Sequence, residues 1–441
     1  MISLAYDYTL GEMSVSLSKT QVVGIVLFLF CVVNVSQAKD PEVAALEARV
    51  AELEALVMQL VNQQATPAAA VAKEKTAVVA TSAPSSTYKF GGYVKLDGMF
   101  SDYSGGDLAP ASLGTQFYVP ATIPVGGTPS EGPDFDMQAR ETRINFRSDH
   151  VLENGDKLGT FIEMDFFLGS GGNERVSNSY NPRMRHAFIK YNNWLAGQTW
   201  STFQDVGALA ENLDFIGPSE GTTFVRQAQV RYTSGPWEFA VENPETTITP
   251  FGGGSRIVTD DGSVPDLVAR YTSRLDNGYI KAAGLVRRLS YKTTGIDDDE
   301  TAYGLSLSGK HSFGDDDVRW MATIGNGTGR YLGLNTANGA VLDSNGNLKS
   351  IEQWGGFVSF RHFWDSRWRS NFTFSYLSND NDTALTGTGV TRDVYSIHAN
   401  LLYQPVEKMT VGGEIMFADR TLETGASGDL TRLLFSAKYA F

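Results

Sequence analysis

From Arg432 to the end of the chain, two kinds of residue alternate without a break. Leu433, Phe435, Ala437, Tyr439 and Phe441 take one set of positions, and Arg432, Leu434, Ser436, Lys438 and Ala440 take the other. A period of two places the sets on opposite faces of a β-strand. A face of aromatic and aliphatic residues backed by one carrying Arg432 and Lys438 suits a wall between hydrocarbon and water. The texture recurs upstream. Leu158, Thr160, Ile162, Met164 and Phe166 alternate with Gly159, Phe161, Glu163, Asp165 and Phe167. Tyr303, Leu305 and Leu307 alternate with Gly304, Ser306 and Ser308; Val411, Gly413, Ile415 and Phe417 alternate with Gly412, Glu414 and Met416. No helical period is sustained beyond Tyr88.

A helical membrane protein needs runs of about 18 apolar residues, and the sequence has none. Alternation hides hydrophobicity instead, so a hydrophobic content of 42% is compatible with crossing a bilayer. A soluble sandwich also alternates, and here length helps. Divided among 16 strands, residues 88–441 allow about 22 residues for each strand and its connection, which suits tilted spans of about 9–11 residues. Fourteen or 18 strands would fit as well. The terminal strand ending on Phe441, with Tyr439 two residues before it, resembles the sorting signal of bacterial outer-membrane proteins, which the barrel-assembly machinery reads. The expected fold is an all-β transmembrane antiparallel β-barrel of about 16 strands, preceded by a short N-terminal coiled-coil helix.

Ahead of the barrel, residues 1–38 read as a signal peptide: Lys19, an apolar run from Val22 to Val33, and Ser36-Gln37-Ala38 before the cut. Met13 is a plausible true start. Cys31 follows bulky Phe30 where a lipobox needs a small residue, so lipidation is disfavoured, and the mature chain would lack cysteine. Residues 41–64 carry heptads, with Val43, Val50 and Val57 at one seam position and Leu46, Leu53 and Leu60 at the other. Val with Leu leans toward two strands. Apolar Leu56 and Val61, and Arg49-Val50-Ala51-Glu52-Leu53-Glu54 with its resemblance to a trimer-forming motif, lean toward three. Residues 65–87, rich in Ala, Thr and Pro, form a flexible linker. The export signal and barrel together place the protein in the outer membrane, among lipid and lipopolysaccharide, with its coiled coil in the periplasm.

Strand segments are rich in arginine: Arg143, Arg147, Arg183, Arg185, Arg226, Arg231, Arg270, Arg287, Arg319, Arg361, Arg369 and Arg432. A guanidinium facing lipid costs roughly 2–4 kcal/mol at the midplane, so those near strand centres should point inward. Eight are taken as pore-lining: Arg143, Arg147, Arg185, Arg231, Arg270, Arg287, Arg361 and Arg369. Arg143 and Arg147, opposite Ile144 and Phe146, have the clearest inward placement; around 184–191 and 225–232 the parity stays open. Acidic runs fall in connections: Asp260-Asp261, Asp297 to Glu300, Asp315 to Asp317. Such a lumen would attract small anions. The opposing possibility is that each Arg pairs with a wall carboxylate such as Glu163, Asp165, Glu242 or Glu414, leaving a neutral pore. Gln198 to Gly221 forms the longest connection without a convincing strand. If it folds inward, Glu211, Asp214 and Glu220 would face arginines across a constriction.

No nucleophile, base and orienter come together, so the protein is not expected to be an enzyme. The five His residues lack metal-ligand spacing; neither metal nor cofactor is expected. A net charge of −14 argues against nucleic acid.

The opening Tyr88-Lys89-Phe90-Gly91-Gly92-Tyr93-Val94-Lys95 and the stretch Arg185-His186-Ala187-Phe188-Ile189-Lys190-Tyr191 leading to Gly197-Gln198-Thr199-Trp200-Ser201-Thr202-Phe203 carry a further signal. With the heptads, linker and terminal Phe441, they resemble the DcaP-like trimeric porins over residues 41–441. The resemblance implies a 16-stranded homotrimer that takes up small anions such as dicarboxylates. The rival from another class is a closed or plugged barrel serving as a surface adhesin or structural anchor.

Overall fold

Residues 84–441, apart from 110, 131, 169, 170, 173 and 176, are described by the computed structural model. The signal segment, the coiled-coil seam and most of the linker lie outside the described residues. Alternation turns directly into strands. The first seven are β1 (Ser85–Tyr103), β2 (Arg143–Val151), β3 (Lys157–Asp165), β4 (Arg183–Tyr191), β5 (Trp194–Trp200), β6 (Arg226–Ser234) and β7 (Trp237–Glu242). Then come β8 (Asp266–Leu275), β9 (Gly278–Thr293), β10 (Ile296–Phe313), β11 (Asp316–Asn326) and β12 (Glu352–Phe363). The series ends with β13 (Trp368–Asp380), β14 (Thr391–Tyr403), β15 (Met409–Leu422) and β16 (Ser427–Ala440). Pairing extends to Ser85, three residues ahead of the expected Tyr88.

Each strand pairs antiparallel with the next, and β16 returns to β1, from Tyr103↔Leu430 to Tyr93↔Ala440. The result is a closed sixteen-stranded barrel, with the short strand Asp134–Gln138 added beside β1. Closure leaves no unpaired edge, as a spanning sheet requires. The faces sort as the alternation demands. On β10, Tyr303, Leu305 and Leu307 are exposed outside while Gly304, Ser306 and Ser308 are buried inside; on β16, Leu433 and Phe435 point out while Arg432, Leu434 and Ser436 point in.

One end of the barrel carries short turns, such as 192–193, 235–236 and 276–277; the other carries the long connections, including 104–142, 201–225, 243–265 and 327–351. Aromatic pairs ring the short-turn end: Trp194–Tyr232 and Trp237–Tyr271, both with centroids 4.7 Å apart, and Trp368–Tyr403 at 4.4 Å. Such girdles mark the edges of the apolar band. At the opposite end, Thr246–Thr249, Ile257–Thr259, Ala340–Leu342 and Leu348–Ser350 build a second, four-stranded sheet. It shares an apolar core of Ile248, Ala340, Leu342 and Leu348 with Leu289 of β9 and Ala302 of β10. The wall is uneven: β5, β6 and β7 have 7, 9 and 6 residues, whereas β9 and β10 have 16 and 18.

Two expectations about acidic runs change here. Asp297 to Glu300 belong to β10, because the β9–β10 hairpin continues past the rest of the barrel. Asp316 and Asp317 open β11, where Asp317 is buried and takes Arg319 and Arg361.

Candidate functional site

The residues joining β5 to β6 do not leave the barrel; they cross its interior. The pairing of β5 with β6 holds through Trp200↔Arg226, so Gln198 to Trp200 are strand and the crossing segment is 201–225, a correction to the expected Gln198–Gly221. Its polar groups are nearly all buried, and a buried polar group must find a partner. Partners come from strands around the ring. The Gln204 carbonyl accepts from Arg270 at 2.7 Å, and Asp205 accepts from Lys281 at 2.7 Å and Ser308 at 2.9 Å. The Leu209 carbonyl accepts from Arg319 at 2.8 Å. Beyond it, the Leu213 amide donates to Glu414 at 2.7 Å while the Leu213 carbonyl accepts from Lys95 at 2.8 Å. The Gly221 amide donates to Ser375 at 3.1 Å. There the backbones are so close that a β-carbon on Gly221 would stand 2.2 Å from the Gly356 carbonyl oxygen.

The loop carboxylates take three different places. Glu211 lies between Arg361 at 2.7 Å and Arg369 at 2.6 Å. Burial alone would raise its pKa, but the two guanidiniums hold it below the ordinary carboxylate range. Asp214 sits 3.5 Å from Arg432 and accepts the Tyr118 amide at 2.9 Å; burial raises its pKa although Arg432 pulls the other way. Among the described residues Glu220 faces no arginine, contrary to expectation. It accepts from Ser396 at 2.5 Å, and burial raises its pKa.

Each of the eight selected arginines stands within reach of a carboxylate. Arg185 reaches Glu163 and Asp165, both at 2.7 Å, and is 1% exposed. Arg231 and Arg270 share Glu238; Arg287 pairs with Asp266 at 3.3 Å. Arg361 is held by Glu211 and Asp317, and Arg369 by Glu211. Arg147 is closed by Asp149 two residues along its own strand, at 2.7 Å. Arg143 comes only to 3.8 Å of Glu163. Two wall carboxylates do something else: Glu242 accepts the Thr202 amide at 2.7 Å, and Glu414 accepts Leu213 and lies 3.2 Å from His398. Both hold the crossing segment, by taking the Thr202 and Leu213 amides.

One region stands apart. Arg143, Arg183, Arg185 and Arg226 gather on the β2–β6 side, and the first three have their guanidiniums 5.4–6.0 Å from the Phe215 ring. Between them they find two carboxylates, Glu163 and Asp165. Arg226 makes no ion pair among the described residues; its guanidinium lies 4.5 Å over Trp200, and its Nη1 is buried without a partner. Arg143, Arg147, Glu163 and Arg185 line a common cavity of about 460 Å³ together with Phe161, Phe188, Trp200 and Phe215. Sequence reasoning placed Arg183 and Arg226 in strands but not in the lumen. A shift of register between Glu163 and Met164 blurs the parity of β4, and Arg226 begins its strand. Lys95, Lys281 and Asp205 carry no local signal either, since the contacts that tie them between wall and crossing segment span 76 or more residues.

Comparison with known proteins places the arrangement. The model of the DcaP outer membrane protein family matches residues 35–441. Among solved structures, the chain is similar to the outer membrane channel DcaP of Acinetobacter baumannii, at 24% identity and a TM-score of 0.66, over 81% of this chain and 97% of that one. It is also similar to the anion-selective porin from Comamonas acidovorans, at 11% identity and a TM-score of 0.51, over 81% and 100%. A third likeness is to OmpF of Salmonella typhi in complex with daunomycin, at 12% identity and a TM-score of 0.50, over 80% and 97%. No curated protein matches. At such identities the solved structures speak for the fold.

Proposed function

Because the chain belongs to the DcaP outer membrane protein family and forms an outer-membrane β-barrel channel, we propose that it is a passive porin for small hydrophilic solutes with a preference for anions such as dicarboxylates. The observation that carries this reading is the imbalance around Phe215: four guanidiniums to two carboxylates. Cations outnumber carboxylates elsewhere in the lumen too, where Lys310, Arg319, Arg361 and Arg369 divide Asp317 and Glu211, and Arg231 and Arg270 share Glu238. At the Phe215 cluster positive charge exceeds negative by two, and uncompensated charge in a low-dielectric wall attracts an anion strongly. A guanidinium fork also suits the plane of a carboxylate. The segment 201–225 acts as the constriction, fastened to the wall where Glu211 pairs with Arg361 and Arg369.

The rest of the reading follows the sequence. Residues 1–38 are removed on export, residues 41–64 form a periplasmic coiled coil, and the last strand with Tyr439 and Phe441 addresses the chain to the barrel-assembly machinery. The protein works as a homotrimer among lipid and lipopolysaccharide. The decisive experiment is the reversal potential across a planar bilayer with a salt gradient. The reading expects an anion-selective pore despite the chain's −14 net charge; a wild-type pore that selects cations sinks it.

A further inference from the structure

On the β14–β16 side, the crossing segment is seated over charges that do not balance. A chain of contacts runs along the wall there. Glu414 of β15 accepts the Leu213 amide at 2.7 Å and the Asn212 side chain at 3.2 Å, and its other oxygen lies 3.2 Å from His398 Nδ1. His398 Nε2 is 3.0 Å from the Ser396 hydroxyl, which donates to Glu220 at 2.5 Å. Both ends of the chain therefore grip the segment, at Asn212-Leu213 and again at Glu220. The place is dry: Asp214, Glu220, His398, Glu414 and Arg432 are each at most 4% exposed.

Three carboxyl groups meet here, Asp214 and Glu220 on the segment and Glu414 on the wall. Arg432 of β16 lies 3.5 Å from Asp214, and His398, even when protonated, serves Glu414. From the connection 104–142 comes Tyr118, which accepts the Ser219 hydroxyl at its carbonyl and has its own hydroxyl buried without a hydrogen bond. Lys95 of β1, which holds the Leu213 carbonyl, is already shared by Asp97 and Glu141. Glu220 is thus left with no cation of its own among the described residues, and its Oε2 is buried without a partner. An unpaired charge is very costly in so dry a place, and a carboxyl group keeps its proton instead. Lifted into the lumen, the same group would meet water and ionise freely.

We propose that Glu220 and its hydrogen-bonded chain to Glu414 form a proton-dependent latch on the constriction. While the proton is held, residues 212–221 stay against β14 and β15; when it is lost, that stretch lifts, and Glu211 remains anchored by Arg361 and Arg369. The seated segment binds one proton more than the lifted one, so raising the pH weakens seating. Above the ordinary pKa of a glutamate, about 4.3, each pH unit lowers the ratio of seated to lifted about tenfold until the seated group itself ionises. The effect on current rests on the reading of 201–225 as the constriction.

The test follows seating and current separately, with the mature protein in detergent and in planar bilayers from pH 5 to 9. Hydrogen exchange over residues 212–221, divided by the intrinsic rate at each pH, should rise with pH by up to about tenfold per unit. Open-channel noise should rise over the same range. Glu220→Gln keeps the shape of the side chain and its acceptor for Ser396 but cannot ionise, so both profiles should become flat. Constant protection from pH 5 to 9 in the wild type overturns the latch without any variant. A rise that survives Glu220→Gln overturns it too, because another group then titrates. Exchange that rises with no change in current keeps the latch and overturns the constriction reading beneath it.

Discussion

Arg147 and Arg226 show how differently two strand arginines can stand. Arg147 has a side chain 57% exposed, closed by Asp149 at 2.7 Å. Arg226 has an aromatic ring beneath it, a buried Nη1 without a partner, and no carboxylate among the described residues. A charge already cancelled adds little to the field of a pore. Replacing Arg226 with Ala should shift the reversal potential clearly toward cations, with Arg143→Ala acting in the same direction. Arg147→Ala should shift it little. The ranking differs from what alternation alone suggests, which favours Arg143 and Arg147 equally. Alternation gives the face of a residue but not its partner. The carboxylates decide pH dependence by the same logic. Glu211, held low by its two arginines, keeps its charge and its grip until pH falls through that lowered value. Asp214 and Glu220, raised by burial, become neutral at a higher pH, which relieves the cost of burying them. Acidification from pH 7 to 5 should therefore leave the crossing segment seated, with no rise in open-channel noise. Loosening should begin below about pH 4, where an ordinary carboxylate is already half protonated. Noise that rises steadily from pH 7 would contradict this assignment.

The crossing segment is the element on which conductance depends, and Gly221 is its tightest point. Gly221→Val would drive a β-carbon into the Gly356 carbonyl, an overpacking that costs about 1–3 kcal/mol. The segment should lift from β12 and β13, and single-channel conductance should change with heat-modifiable mobility preserved. Unchanged conductance in a folded variant would mean that the segment does not limit flow. Elements of this kind mark where the sequence stopped being readable. Strands such as the middle of β10 and the whole of β16 could be seen in the chain, because a period of two defines them. The fate of 201–225 depends on Lys95, Glu414 and Ser375, which lie 118, 201 and 154 residues from their partners. Nothing local announces that Glu242 and Glu414 accept its amides instead of pairing with arginine. The four-stranded sheet at the long-loop end escaped for the same reason, since Ala340 and Ile248 meet from two separate connections.

At the scale of the whole molecule, the uneven wall bears on assembly. Seven residues of β5, at about 3.3 Å each and tilted near 40°, rise roughly 18 Å, against an apolar band of about 25 Å. A lipid bilayer would have to thin to meet that arc, whereas a second protomer would not. The contact of the proposed homotrimer should therefore fall on β5 to β7. With the sole cysteine, Cys31, in the segment proposed to be removed on export, single cysteines can report it. Val230→Cys should cross-link between protomers with a short bismaleimide, and Leu305→Cys on the tall side should not. The reverse pattern would move the contact. Removing residues 39–83 should leave these cross-links intact, because the wall contact does not need the proposed coiled coil. The closing seam has a consequence of another kind. Tyr93 to Tyr103 of β1 find their partners in Leu430 to Ala440, so the first strand to emerge from the exporter must wait for the last. No part of the ring can seal while synthesis or translocation is under way, and loop-closure entropy for the whole barrel falls due in a single late event. Until then, the inner edge of β1 is an open template for any passing strand. A protein built this way depends on escorts in the periplasm in proportion to how long its final strand is delayed.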